Sequence, residues 1–205
     1  MKRSTVLLTG LLLVLLLLGC TQQQYSSRLI PMKDFFKNPE RTRFQLSPNG
    51  EYLALMKPWE TRMNVFVQKI GDTKEVRITE SKERDIAGYF WANNNRIAFL
   101  KDKGGNENFH LFAVDIDGSN LKELTPFEEV RVGVVDDLED NEEEMLIQMN
   151  KRDPRAFDVY RININTGEYK MIAQNPGNVL GWVTDNDGNL RVATTSDGVN
   201  TSILY

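Results

Sequence analysis

A group of short apolar segments returns roughly every 45 residues along this chain, and no other property limits its fold as strongly. Tyr52-Leu53-Ala54-Leu55-Met56 follows the turn Pro48-Asn49-Gly50. Arg96-Ile97-Ala98-Phe99-Leu100 follows Asn93-Asn94-Asn95, 44 positions later. Met145 to Met149 comes 49 positions further on, and Leu190 to Thr194 another 45. A second apolar segment follows in three of the units: Val65 to Ile70, Leu111 to Ile116 and Val159 to Ile164, spaced by 46 and 48. A third, shorter one closes each of them at Val76 to Thr79, Leu121 to Thr125 and Tyr169 to Ala173. An aromatic or apolar segment precedes each unit, around Phe44, Phe90-Trp91, Val134-Val135 and Gly181-Trp182.

Four short strands at this period make the blade of a β-propeller. Gly50, Gly71, Gly118 and Gly167 stand in the turns between strands, where tight hairpins require positive φ. The strands alternate only imperfectly, as expected for sheets that are apolar on both faces because each lies between two neighbours. A β-sandwich does not repeat at this length, and no long amphipathic helical window is present. One short helix is expected over Met32 to Asn38. The fold class is therefore all-β: an incomplete β-propeller of about three and a half four-stranded blades over residues 31–205. Propellers close with roughly four to eight blades, so this count predicts a truncated piece of a longer protein, stopping within a strand.

The N-terminus carries a different signal. Lys2 and Arg3 precede an apolar run of 13 residues, Val6 to Leu18. A bilayer-spanning helix needs about 20, so the run reads as a secretory signal peptide over residues 1–19. It ends in Leu17-Leu18-Gly19-Cys20, which resembles the lipobox of bacterial lipoproteins. That resemblance implies cleavage before Cys20 and lipidation of its sulfur, with residues 20–30 as a polar tether. Cys20 is the only cysteine, so no disulfide forms within the chain. Thr21 in place of an aspartate disfavours inner-membrane retention by the sorting rule of Gram-negative lipoproteins. The expected location is the cell envelope, lipid-anchored to the outer membrane.

Without residues 1–19 the chain has 23 basic and 29 acidic residues, a net charge of −6. The acids are spread except in the run Asp136 to Glu144, read as a solvated loop. No basic stripe is available for a phosphate backbone, which argues against nucleic acid as a partner.

Phe99-Leu100-Lys101-Asp102-Lys103-Gly104-Gly105-Asn106-Glu107-Asn108-Phe109-His110-Leu111-Phe112 resembles the second-blade signature of the prolyl-oligopeptidase family of serine peptidases, in its acylaminoacyl-peptidase and dipeptidyl-aminopeptidase-like branch. Asn150 to Pro154, with Asp158-Val159-Tyr160 and Thr166-Gly167-Glu168, resembles the third blade. The Asp-Gly turns are shared with every TolB-like propeller. The resemblance implies a propeller that filters peptides by size for a C-terminal α/β-hydrolase domain bearing a Gly-x-Ser-x-Gly elbow. No such motif occurs in this chain, so no catalytic residue is expected here. The competing reading is a stand-alone TolB-like propeller that serves as an envelope binding module.

The remaining constellations have plain explanations. His110, the only histidine, stands at the start of a blade strand and is read as structural. Asp185-Asn186-Asp187-Gly188-Asn189 is one ligand short of a calcium loop and lacks the distal glutamate, so a hairpin turn is expected. Asp102 and Glu107 flank Gly104-Gly105, which would let both carboxylates project from one hairpin tip toward a peptide amine or simply into solvent. Phe90, Trp91 and Trp182 are assigned to the core. Neither zinc-ligand spacing nor a phosphate loop or dinucleotide fingerprint is present, and no cofactor is expected.

Overall fold

The computed structural model describes residues 29–205, so the leader and Cys20 lie outside the described residues. The helix α1 (Met32–Phe36) falls within the expected window and buries no residue. Pro39 follows closely, and a proline pushes the residue before it into extended conformation, which bars continuation.

From Asn38 onward the chain folds as one unit of four antiparallel sheets, each built from consecutive strands. The first holds β1 (Thr42–Leu46), β2 (Tyr52–Trp59), β3 (Arg62–Lys69) and β4 (Glu75–Arg77). The second holds β5 (Gly88–Asn93), β6 (Arg96–Lys101), β7 (His110–Asp115) and β8 (Lys122–Glu123). The third holds β9 (Val132–Asp136), β10 (Glu144–Asp153), β11 (Ala156–Asn163) and β12 (Tyr169–Ala173). The fourth has three strands, β13 (Val179–Thr184), β14 (Leu190–Ser196) and β15 (Thr201–Leu204). The strand order in every sheet is the order in the chain, as a propeller blade requires.

Packing follows from the two-residue period of the strands. In the second blade Ile97, Phe99, Phe112 and Val114 point to one face and meet Ala54, Met56, Val65 and Val67 of the first blade. Ala98, Leu111 and Ala113 point to the other face, against Met145, Ile147 and Met149 of the third. Ala98 and Ala113 are paired across β6 and β7, which leaves a shallow site for the long side chains of β10. Each fully buried aliphatic side chain of this kind contributes about 1.5–3 kcal/mol. The first three blades therefore adhere through cores shared between consecutive sheets, and both faces of the second blade are apolar as its sequence predicts.

The run Asp136 to Glu144 forms the β9–β10 hairpin, and its acids are not uniformly solvated. Leu138, at φ +53°, is only 8% exposed and packs beside Gly188 of the β13–β14 turn.

Candidate functional site

The site is built on a set of buried polar groups, two of which fasten a blade to the segment leading into the next while the third ties two strands of its own blade. Asn64, His110 and Asp158 occupy the same place near the start of the third strand of their blades and are all buried. The Asn64 side-chain amide donates to the carbonyl of Ser81 at 2.9 Å, and its oxygen accepts from the Ser81 N–H at 2.7 Å. Asp158 accepts two bonds from Arg152, at 2.8 and 2.9 Å, and one from the Asn175 N–H at 2.7 Å. His110 Nδ1 lies 2.6 Å from Glu123, and it donates there, since an ionised carboxylate only accepts. Burial pulls the Glu123 carboxyl upward, but the His110 bond and the Lys103 charge outweigh it and hold the group below its ordinary value. His110 is thus a structural group, as its sequence position suggests.

Fastened in this way, the first strands of all four blades meet around one cavity of about 530 Å³. Arg43 comes from β1, Gly88 and Phe90 from β5, and Val132 and Gly133 from β9. Val179 and Leu180 come from β13, while Arg131 stands immediately before β9. Phe109 and Phe157 complete the aromatic wall from the entries to β7 and from β11.

Two local devices shape this mouth. Arg43 sits in a bulge of β1, between Thr42 and Gln45, with φ +53°. A non-glycine residue there costs about 1–2 kcal/mol. The buried Tyr89 hydroxyl holds the strained backbone by donating to the Arg43 carbonyl, and burial raises that hydroxyl's pKa. Gln45 and Trp91 add bonds between β1 and β5, each at 3.3 Å. The Arg43 guanidinium lies against Gly88, 3.4 Å from where a β-carbon would stand. The second device is Gly133. A β-carbon there would be 3.1 Å from Nε2 of Gln148, so any larger residue would make that side chain, which lines the cavity, shift by a few tenths of an ångström.

Phe90 corrects the sequence reading. It faces this cavity while its neighbours in β5 point into the core, Trp91 as expected and Tyr89 beside it. Trp182 is half-buried, its indole nitrogen donating to the Phe157 carbonyl at 3.4 Å.

The hairpin between β6 and β7 also differs from expectation at one position. Asp102 is buried, not projecting: it pairs with Arg84 at 3.0 Å and accepts the Glu107 N–H at 3.2 Å. Burial pulls its carboxyl upward, while the Arg84 bond and the Glu107 N–H more than offset this and keep it below the ordinary range. Glu107, at φ +58°, is exposed at the tip. Asp185 is a turn residue, as anticipated. Its carboxylate accepts from the N–H of Asn189 at 2.8 Å and from Arg191 at 2.6 Å, which lowers its pKa to about 2. Among the described residues, no group of three or more histidine or acidic side chains is arranged to hold a metal.

Four consecutive sheets around a shared cavity define the class: a TolB-like β-propeller segment. TolB from Acinetobacter baumannii matches it with a TM-score of 0.53 over 80% of this chain and 40% of its own, at 14% identity. An acylaminoacyl peptidase solved with Z-Gly-Gly-Phe-chloromethyl ketone matches with a TM-score of 0.54 at 11% identity, over 81% of this chain and 30% of its own. At such identities the likeness is one of fold. No family model matches the chain. In sequence it is 31% identical over 172 residues to dipeptidyl aminopeptidase BIII of Pseudoxanthomonas mexicana, covering 83% of this chain and 25% of that protein. The chain is a homologue of this dipeptidyl aminopeptidase and, at 26% identity, of a dipeptidyl peptidase family member of Caenorhabditis elegans, and its fold is like that of the propeller in the acylaminoacyl peptidase. It spans 25% and 27% of the length of the two curated relatives it matches.

Proposed function

We propose that this chain is the propeller portion of a lipid-anchored serine peptidase of the cell envelope, in which it admits and orients short peptides for an α/β-hydrolase domain. The observation that carries the reading is the 31% identity to a dipeptidyl aminopeptidase along most of the propeller. Two features support it. The blades present one concave, aromatic-lined mouth where their first strands converge, a shape suited to receiving an extended peptide. The reading assigns the chemistry to a hydrolase domain, consistent with a chain that has no Gly-x-Ser-x-Gly and whose one histidine is bonded to Glu123 inside the second blade. Anchoring through Cys20 is the second part of the proposal, resting on the lipobox-like Leu17-Leu18-Gly19-Cys20.

The test is the native product, blotted from host membrane fractions with an antibody raised against residues 29–205. A membrane-associated band far above 23.5 kDa that also labels with a fluorophosphonate supports the proposal. A band at or below 23.5 kDa with no labelled partner refutes it in favour of a stand-alone binding module.

A further inference from the structure

The cavity at the convergence of the first strands has a charge pattern at odds with the rest of the molecule. The chain as a whole is acidic, with 29 acidic against 25 basic residues. Among the described residues, two arginines and no carboxylate line this cavity. Arg43 and Arg131 are also exceptional among the described arginines. Most of the others pair with an acid, as Arg84 does with Asp102 and Arg152 with Asp158. Neither Arg43 nor Arg131 has an acidic partner or a side-chain hydrogen bond to another described residue; Arg131 instead rests over the Phe109 ring, 5.7 Å from its centre. The Gln148 carboxamide, brought in across Gly133, is likewise without a protein hydrogen-bond partner among the described residues. Beside these donors stand Phe90, Phe109 and Phe157.

We infer that this mouth is a carboxylate-binding site that takes the free C-terminus of a short peptide whose last side chain is apolar. The inference rests on the peptide-handling reading above and deepens it. A guanidinium presents a planar fork matched to the two oxygens of a carboxylate, and two such forks in one cavity select for that group. The phenyl rings give the adjoining side chain an apolar wall, and the Gln148 amide can donate to a carboxylate oxygen or to the last peptide carbonyl. The strained backbone at Arg43, clamped by Tyr89, fixes the base of one fork before any ligand arrives, so less ordering remains to be done on binding.

The experiment is isothermal titration of the full chain with three probes: acetyl-Gly-Phe with a free C-terminus, the same peptide as its C-terminal amide, and acetyl-Glu-Phe-amide. The free acid should bind at least about tenfold more tightly than either amide. Arg43→Gln and Arg131→Gln should each weaken the free acid by about tenfold and more than they weaken the amide, with lysine at either position restoring part of the loss. Gly133→Ala, which pushes Gln148 aside, should weaken the acid with both arginines in place. Unchanged circular dichroism in each variant separates these effects from misfolding. Equal binding of acid and amide overturns the carboxylate site while leaving peptide handling intact. Tight binding of acetyl-Glu-Phe-amide overturns the terminal carboxylate in favour of a side-chain acid. Absence of binding by all three overturns both the inference and the peptide-handling reading beneath it.

Discussion

Replacing Asp158 with alanine is expected to be among the most damaging single changes in the propeller. The carboxylate has no solvent exposure and serves three donors: two guanidinium N–H groups of Arg152 and the backbone N–H of Asn175. Alanine leaves the Asn175 N–H without a partner in a residue that is 3% exposed, which costs about 1–3 kcal/mol. Arg152 also loses its counter-ion, but its side chain is 36% exposed and can turn to water, so the full penalty of about 3–5 kcal/mol for breaking a buried pair does not apply. The expected cost is the upper end of the first range, about 3 kcal/mol. With an m-value of about 2 kcal/mol/M in urea, the unfolding midpoint should fall by roughly 1.5 M. Asp158→Asn should fall by about half as much, since its amide oxygen still accepts the Asn175 N–H. Asp153→Asn is the control. Its partner Arg155 is 89% exposed, and exposed pairs contribute little. A fall of less than about 0.3 M for Asp158→Ala would refute the claim that this group fastens the third blade to the fourth.

The other expectations concern packing, acid stability and anchoring. Ala98→Leu should lower stability by about 1–3 kcal/mol in the same urea assay, because Ala98 is fully buried opposite the long side chains of β10; a neutral result would mean that the blades separate easily. Asp102 and Glu123 both have folded pKa values below their unfolded ones, so their stabilisation is complete above the unfolded values and is lost as pH falls through the folded values. The urea midpoint should therefore decline below about pH 4, and less steeply in Asp102→Asn; identical slopes would contradict the assignment. Cys20→Ser should move the protein from the membrane to the soluble fraction after cell lysis, and persistent membrane association would rule out the lipid anchor.

The blade architecture was legible because its signals are local. Apolar runs at the second strands and glycines in the turns recur within each unit, and β2, β6, β10 and β14 all contain the segments expected of them. Strand ends were less clear. Ile70, Ile116 and Ile164 extend the apolar pattern, yet each lies just beyond its strand. The last strand of the second blade shrinks to Lys122–Glu123 inside the longer run expected, and a third strand completes more of the fourth blade than its hairpin suggests. The site was hidden for a different reason. Arg43 and Arg131 are far apart in sequence, and only the convergence of first strands brings them to one cavity. Asp102 was misplaced because its partner Arg84 lies in the connection from the preceding blade, where no short-range pattern reveals it. The one available sign was Gly133, a glycine inside a strand, which marks a close approach of some other group.

The unequal faces of the second blade have a consequence for how the chain finds its arrangement. One side is thick with Ile97, Phe99 and Phe112; the other is thin at Ala98 and Ala113. Such a plate fits a neighbour in one orientation and rejects the reverse, because turning it over would set bulk against bulk and hollow against hollow. Side-chain volume thus acts as a key that distinguishes the preceding sheet from the following one. A chain of near-identical repeats faces many wrong pairings of comparable contact area, and this asymmetry of volume disfavours them alongside the hydrogen bonds that cross the seam at Gln45, Tyr89 and Trp91.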